Sequence, residues 1–514
     1  MRCIRKPLEE MENRVMAKKE KQISSQAALN SEIKSICDIM RRSNCAGAMQ
    51  YVPELTWILF LRILDERESL EAEEAEAVGR SFTYSLAAPY RWRDWANKEG
   101  AKRKELEVKE LGAFFGFVNT ELIPHLKKLA EQPDASPRQK VIAQIMSGVD
   151  RTRVDTEKNF LDILDKVDEI KQSNISDTHI FTLSQIYEGL LLKMGEKGND
   201  GGQFFTPREV IRAMVQMLKP KVGETIYDPC CGTAGFLAQT YTYISQNENL
   251  TAENIEMLKN NTFYGREKEN LIYPISLANL ILHGVDSPHI WHGNTLTGSE
   301  NYGGLFEQAP GKFDVILTNP PFGGKESKEA QTNFAYKTSS TSILFLQHII
   351  DSLKPGGRCA MVIDEGVLFR TNEEAYVKTK RKLLDDCNLH TIISLPGGLF
   401  SAAGAGVKTN ILVFDKGDST EKIWYYDLSW VKVGKRNPFT LDRFDDFFAK
   451  FAEKPDSEYS WTIDRATIEA NNFDIKAVNP NKKQEVDNRS SAEILAEIQN
   501  LQQEIAAELV KLQS

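Results

Sequence analysis

The sequence predicts a multidomain chain: an α-helical N-terminal domain, an α/β doubly wound, Rossmann-like domain, and a C-terminal amphipathic helix. Three observations predict it. Apolar residues between about 25 and 195 recur at helical spacing. Beyond the glycine-rich stretch Gly195 to Gly202, short apolar runs alternate with helical stretches. At the end, Ile494, Ile498, Leu501, Ile505 and Leu512 fall on one narrow seam. A length of 514 residues already calls for more than one domain.

Residues 1–25 are charged, lack an apolar core and are expected to be a flexible N-terminus, with Met11 or Met16 as alternative starts. The helical domain is placed at 26–195. Ile33, Ile36, Cys37 and Met40 share one helical face, and Leu55, Ile58, Leu59 and Ile63 another. The runs Phe160-Leu161-Asp162-Ile163-Leu164 and Ile186-Tyr187-Glu188-Gly189-Leu190-Leu191 continue the pattern. Within it, Tyr90-Arg91-Trp92-Arg93-Asp94-Trp95 could stack bases and contact phosphates. An anchoring loop of the helical domain is the favoured reading.

The α/β domain is placed at 196–420. Its expected strands are Thr225-Ile226-Tyr227, Asn261 to Tyr264, Val315-Ile316-Leu317, Cys359 to Ile363, Thr391 to Leu395 and Ile411 to Phe414. Near-continuous apolar runs of this kind suit buried parallel strands. Residues 421–478 read as an extension of that domain, and 479–514 as a linker and helix. The helix seam serves either its own domain or another subunit.

Composition narrows the classes. A hydrophobic fraction of 41% with 27% charged residues describes a soluble globular protein. No stretch approaches the ~18 apolar residues of a membrane span, so no membrane partner is expected. The run Trp57 to Leu61 is too short and too deep for a signal peptide. Seven scattered cysteines without a C-x-x-C pair point to a reducing, cytoplasmic setting and no disulfide framework. His283, His289 and His292 lack a matching Cys or carboxylate set, so no metal is expected. The net charge of −9 opposes indiscriminate coating of nucleic acid, though not binding through a local basic face. Lys378, Lys380, Arg381 and Lys382 are expected to form a solvated helix face rather than a phosphate site.

Two strings carry chemistry. Asp228-Pro229-Cys230-Cys231-Gly232-Thr233-Ala234-Gly235-Phe236 follows a strand and opens a helix. Its glycines let backbone approach a ligand and free the helix N-terminus for it. Nucleotides, flavins and S-adenosylmethionine all use such a turn. Glu267, ending the next strand, is an acid suited to ribose hydroxyls, or an ordinary surface acid. The second string, Asn319-Pro320-Pro321-Phe322, leaves a buried strand. The prolines remove two donors. The Asn319 amide oxygen and the Pro320 carbonyl could both accept from one NH₂ group, while Phe322 stacks on its ring. That pairing suits methyl transfer to an exocyclic amine.

Five separated strings together resemble the modification (M) subunit of type I restriction–modification systems, a family of N6-adenine DNA methyltransferases. They are Gly202-Gln203-Phe204-Phe205-Thr206-Pro207-Arg208, Asp228 to Phe236, His292-Gly293-Asn294-Thr295-Leu296 and Asn319 to Phe322, then Lys354 to Arg358 with Leu395 to Phe400. The resemblance implies S-adenosylmethionine as cofactor. Phe205, Thr206 and Pro207, with Gln203 and Phe204, would line its methionine end. Asp228, Gly232, Thr233 and Gly235, with Ala234 and Phe236, would hold its carboxylate and amino groups. Glu267 would bind the ribose, and Asn294, with Thr295 and Leu296, the adenine moiety. Asn319, Pro320, Pro321 and Phe322 would hold a flipped target adenine. Cys230-Cys231 departs from the commoner Ala-Cys or Ala-Ala and reads as packing.

The resemblance also implies partners: duplex DNA, a specificity (S) subunit, a second M subunit, and a nuclease/translocase (R) subunit. No nuclease or helicase motif is present, and no candidate target-recognition domain follows the sheet. Methylation of a protein glutamine amide, a scaffold without turnover, and a stand-alone methyltransferase are the competing readings.

Overall fold

The computed structural model describes residues 26–170 and 206–505, apart from 44, 46–47, 305, 307–308, 401–406, 435–436, 482–489, 491–492, 494 and 504. The N-terminal 25 residues, the segment 186–191, the stretch Gly195 to Gly202, Gln203, Phe204, Phe205, Ile494 and Leu512 lie outside the described residues.

The first domain is helical. Helix α1 (Gln26–Arg42) buries Ile33, Ile36 and Met40, and α2 (Ala48–Ala77) buries Leu55, Ile58 and Leu59. Helix α3 (Pro137–Met146) starts at a reciprocal cap. Ser136 Oγ accepts from the Gln139 amide, Gln139 Oε1 accepts from the Ser136 amide, and proline fills the first helical position. Helix α4 (Glu157–Asp168) brings Phe160 against Trp57, with ring centroids 6.2 Å apart. The aromatic–basic segment belongs to this core. Trp92 and Trp95 are fully buried, Trp92 Nε1 donates to Asp168, and Arg91 and Arg93 bond Asp94 and Asp65. It anchors the domain, and its indoles are not free to stack bases.

The second domain is a ten-stranded mixed sheet. Its strands are β1 (Ile226–Asp228), β2 (Phe263–Glu267), β3 (His289–Asn294), β4 (Ser299–Gly304), β5 (Phe313–Thr318), β6 (Leu353–Asp364), β7 (Cys387–Ser394), β8 (Thr409–Lys416), β9 (Lys422–Asp427) and β10 (Ser460–Asp464). Their order is β10-β9-β7-β8-β6-β5-β1-β2-β3-β4. The central strands β3, β2, β1, β5 and β6 are parallel. One expectation fails: β8, carrying Ile411 to Phe414, runs antiparallel to both β6 and β7. Residues 395–408 connect β7 to β8, and no helical crossover is assigned among those described. An antiparallel return needs none. Strands β9 and β10 extend the same sheet, β9 parallel to β7 and β10 antiparallel to β9.

Helices cover both faces. On one lie α5 (Arg208–Leu218), α6 (Gly235–Asn247) and α8 (Tyr273–His283), with α7 (Ala252–Asn260) between β1 and β2 in sequence. They share a core with Val315 and Leu317. On the other lie α9 (Thr341–Ser352) and α11 (Glu374–Asp386), with α10 (Glu365–Phe369) just before α11; this core takes Ile316. Alternating residues of β5 thus enter opposite cores.

The helical domain docks on the first face. Arg138 of α3 donates to Glu68 (3.1 Å) and Glu71 (2.8 Å) of α2 and to Asp286 (2.7 Å) after α8, and Arg67 donates to the Ile281 carbonyl.

The basic cluster on α11 differs from expectation at one position. Lys378 pairs with Glu374 and Lys382 with Asp386, but Lys380 is fully buried. Its ammonium donates to the Leu368 and Arg370 carbonyls, both at 2.9 Å. Burial lowers its pKa to about 8. Residues 495–503 are helical, and Leu495, Ile498, Leu501 and Ile505 are exposed. Among the described residues, no helix is long and apolar enough to cross a membrane.

Candidate active site

Strand order reverses at β1, whose neighbours are β2 and β5. Ligands of open α/β sheets sit beyond the carboxyl ends of strands at such a point. Asp228, Glu267 and Asn294 end β1, β2 and β3, and Asn319 follows β5. Adjacent strand ends lie about 4.8 Å apart, so the parallel register alone brings these side chains to one crevice.

One cavity is lined by Thr206, Asp228, Gly232, Thr233, Gly235, Phe236, Glu267, Asn294, Thr295, Asn319, Pro321 and Phe322. Of the other expected residues, Pro207, Ala234, Leu296 and Pro320 do not line it. Leu296 packs instead with Ala330, Leu344 and Phe345. Ala234 shapes the turn: its φ of 62° is left-handed, and it caps α6 without a side-chain bond. The first-turn amides of α6 therefore carry no side-chain cap and are available to an anion. Gly235 packs closely, since a Cβ there would lie 3.0 Å from Ile211 Cδ1 and that methyl would have to give way.

Two carboxyls are buried here without a cation. Asp228 accepts from Thr318 Oγ1 at 2.7 Å and from the Cys230 amide at 3.2 Å. Glu267 accepts from the Gly232 amide at 2.9 Å and the Glu269 amide at 2.7 Å. Desolvation raises each pKa to about 7, although these bonds oppose the rise. Thr295 Oγ1 donates to the Pro229 carbonyl, and Asn279 of α8 donates to the Thr233 carbonyl, so the turn is held from two sides.

The cysteines of the turn are not nucleophiles. Burial pushes both thiols well above their ordinary pKa. Cys230 Sγ lies 3.1 Å from Thr318 Oγ1, and Cys231 packs beside Gly265.

Asn319 is the distinctive group. Its Nδ2 donates to Thr206 Oγ1 at 3.0 Å, whereas its Oδ1 is buried with no donor among the described residues. Leaving such an acceptor unpaired costs about 1–3 kcal/mol, so nature keeps few. Phe322, three residues on, packs T-shaped against buried Phe400, with ring centroids 5.5 Å apart and an interplanar angle of 88°. Sequence reasoning did not single out Thr318 or give Phe400 a role at this site. Thr318 directly precedes Asn319, and Phe400 sits in the string Leu395 to Phe400. Their partners are remote in sequence, so spacing alone did not reveal them.

The three histidines are separately engaged: His292 stacks on Tyr273 and His289 on Tyr264, while His283 Nδ1 donates to the Asn279 carbonyl. Among the described residues, no group of three or more His, Cys, Asp or Glu side chains could hold a metal.

Comparison with known proteins agrees with this geometry. Residues 178–489 match the N-6 DNA Methylase family and residues 29–156 the HsdM N-terminal domain. The chain is 36% identical to the EcoEI type I restriction enzyme methylase subunit of Escherichia coli, over 93% of this chain and 95% of that one. It is 30% identical to the Escherichia coli EcoKI methylase subunit, over 83% and 76%. A structure described for complex assembly and conformational transition of the type I R-M system matches at 35% identity and TM-score 0.68, covering 95% of this chain and 98% of that one. A modification subunit assigned to a type I restriction enzyme of Vibrio vulnificus matches at 32% identity and TM-score 0.76, over 89% and 98%. An N6-methylase fold implies S-adenosylmethionine as the methyl donor. The chain belongs to the family of type I restriction-enzyme methylase subunits, which are adenine-specific DNA methyltransferases.

Proposed function

We propose that this chain methylates N6 of an adenine turned out of duplex DNA. In this reading a specificity (S) subunit chooses the sequence, a second modification subunit completes the methylase, and a nuclease/translocase (R) subunit joins for restriction. The observation that carries the reading is the buried, partnerless Oδ1 of Asn319 beside the Asp228–Phe236 turn. An exocyclic amine supplies the missing donor. Accepting that hydrogen favours a tetrahedral nitrogen with an available lone pair over the flat, conjugated one. The Pro320 carbonyl is the second acceptor in this scheme, although Pro320 does not line the cavity in this structure. The Phe322 ring, packed T-shaped against Phe400, is assigned to stack on the base, which would offset part of the unstacking cost, a few kcal/mol.

S-adenosylmethionine would supply a methyl on a positively charged sulfonium. The carbon–sulfur bond would break as the amine nitrogen bonds to the methyl, and a neutral thioether would leave. The amine proton would be lost to solvent afterwards, so no strong base is needed. The residues present suit it. The uncapped start of α6 fits a carboxylate, and the buried Asp228 and Glu267 suit ammonium and hydroxyl donors. Asn294 and Thr295 flank the adenine end. Gln203, Phe204 and Phe205 are assigned to the methionine end in this scheme, while Pro207 caps α5 outside the cavity lining. The exposed seam Leu495, Ile498, Leu501 and Ile505 is assigned to the specificity subunit.

A glutamine amide would offer Asn319 the same NH₂ group. The match of residues 29–156 to the HsdM N-terminal domain favours DNA. Mapping N6-methyladenine in cells carrying this chain with its neighbouring genes, beside an Asn319→Ala strain, tests the proposal. The expected result is methylation at a split, asymmetric motif that vanishes in the variant. With all genes expressed, absence of the mark from both strains would refute the reading.

A further inference from the structure

The cavity wall joins two strings that the sequence resemblance gives to different tasks, one to the cofactor and one to the target base. Thr206 belongs to the first and Asn319 to the second, and they are hydrogen-bonded at 3.0 Å. A side-chain amide is nearly symmetric in shape but not in chemistry, since one end accepts and the other donates. Turned over, Asn319 would offer an NH₂ group to a target NH₂ group. Neither could accept from the other, and the base would gain nothing from the contact.

We propose that Thr206 is a positioning residue for methyl transfer: its hydroxyl oxygen takes the donor end of the Asn319 amide and reserves the acceptor end for the target amine. This rests on the reading of Asn319 given above. The buried Oδ1 without a partner is what such an arrangement leaves behind before the base arrives.

Thr206 is itself well held. It stands two residues before α5, and Pro207 caps that helix with φ −53°. The apolar face of α5 is buried through Val210, Ile211, Met214 and Leu218. Ile211 packs on the backbone of Gly235 at the start of α6. At the far end, Arg358 of β6 donates to the Leu218 carbonyl at 2.7 Å. The backbone that carries Thr206 is thus tied through α5 to the turn Asp228 to Gly235.

The test compares Thr206→Val, which keeps the shape and loses the acceptor, with Thr206→Ser, which keeps the acceptor. Both are made in the full chain, in complex with its specificity partner. Single-turnover transfer from labelled S-adenosylmethionine to target duplex is measured at saturating cofactor and DNA, and cofactor affinity separately by calorimetry. The expected result is a rate lowered about 10- to 100-fold in Thr206→Val, with cofactor affinity within about threefold and Thr206→Ser near the original rate. An unchanged rate at saturation, with the whole loss in cofactor affinity, would overturn the proposal and leave Thr206 a cofactor contact. Loss of cofactor binding by Thr206→Val together with failure of Thr206→Ser to restore the rate would likewise overturn it. An original complex that methylates no adenine would overturn the function reading along with it, and is distinguished by that control.

Discussion

At the seam between the two domains, Glu68, Glu71 and Asp286 surround one guanidinium, Arg138. At the cavity, Asp228 and Glu267 are buried more deeply than Glu71 and Asp286 and take their hydrogen bonds from hydroxyl and backbone groups. Burial pushes Glu71 up, yet the hydrogen bonds and charges of Arg138 and Arg67 outweigh it and hold Glu71 below the usual carboxylate range. Nothing comparable rescues Asp228 or Glu267, which rise to about 7. Glu68 falls between: burial raises it, with Ser85 and Arg138 opposing. The difference teaches how to tell a structural cluster from a working one. The seam carboxylates each face a cation, whereas the cavity holds two carboxyls raised by burial and one amide oxygen, Asn319 Oδ1, with no donor among the described residues.

The largest stability effect is expected at the seam. Removing Arg138 leaves buried Glu68 without its cation, while Glu71 keeps Arg67 and Asp286 keeps Lys259, so Arg138→Ala should destabilise the chain by about 3 kcal/mol. Chemical denaturation would measure it. A loss under about 1 kcal/mol would show the seam to be hydrated and the contrast with the cavity overstated.

A smaller effect, on the order of a few kcal/mol, is expected at the cavity and depends on pH. The folded pKa of Asp228 lies above its ordinary value of 3.8, at about 7. The folded state thus holds a proton that the unfolded chain releases. Its contribution is fully present below about pH 4 and is lost as pH rises through about 7. Glu267 acts in the same direction. Asp314 and Asp386, held low by Lys354 and Lys382 against the opposing effect of burial, act the other way. The useful quantity is therefore the difference between the original chain and Asp228→Asn. The variant should gain relative stability from pH 5 to pH 8, and a flat difference would mean that Asp228 is already ionised.

The smallest effect is expected far from both clusters. Ile498→Ser and Leu501→Ser alter exposed side chains and should change the stability of the isolated chain by less than about 0.5 kcal/mol. The same pair should reduce co-purification with the specificity subunit. Undiminished co-purification would move that contact elsewhere.

Much of this was legible in the chain itself. The runs ending at Tyr227 and Leu317 became adjacent central strands, and the strings that follow them line one cavity. Local motifs survive folding because each needs only its own strand end. Strand direction was harder. Ile411 to Phe414 is buried on both faces and reads the same whether parallel or antiparallel; the connection from β7 held the distinction. The edge strands β4 and β10 are mostly polar or glycine, Ser-Glu-Asn-Tyr-Gly-Gly and Ser-Trp-Thr-Ile-Asp, so they lack the apolar run of the central strands. Lys380 was misjudged for a reason visible afterwards. Tyr376, Thr379, Lys380, Leu383 and Leu384 fall at i, i+3, i+4, i+7 and i+8, so the lysine lies on the apolar face. The Thr206–Asn319 bond spans 113 residues and could not be read from spacing.

The central claim is that the Asn319 amide oxygen accepts from the target amine. The most direct test is single-turnover methyl transfer by the chain with its specificity partner, comparing the original with Asn319→Ala at saturating cofactor and target duplex. The account predicts a loss of at least about 100-fold, the scale of removing one preorganised transition-state contact, with cofactor affinity within about threefold. Transfer at nearly the original rate would contradict it and leave the buried oxygen without a purpose.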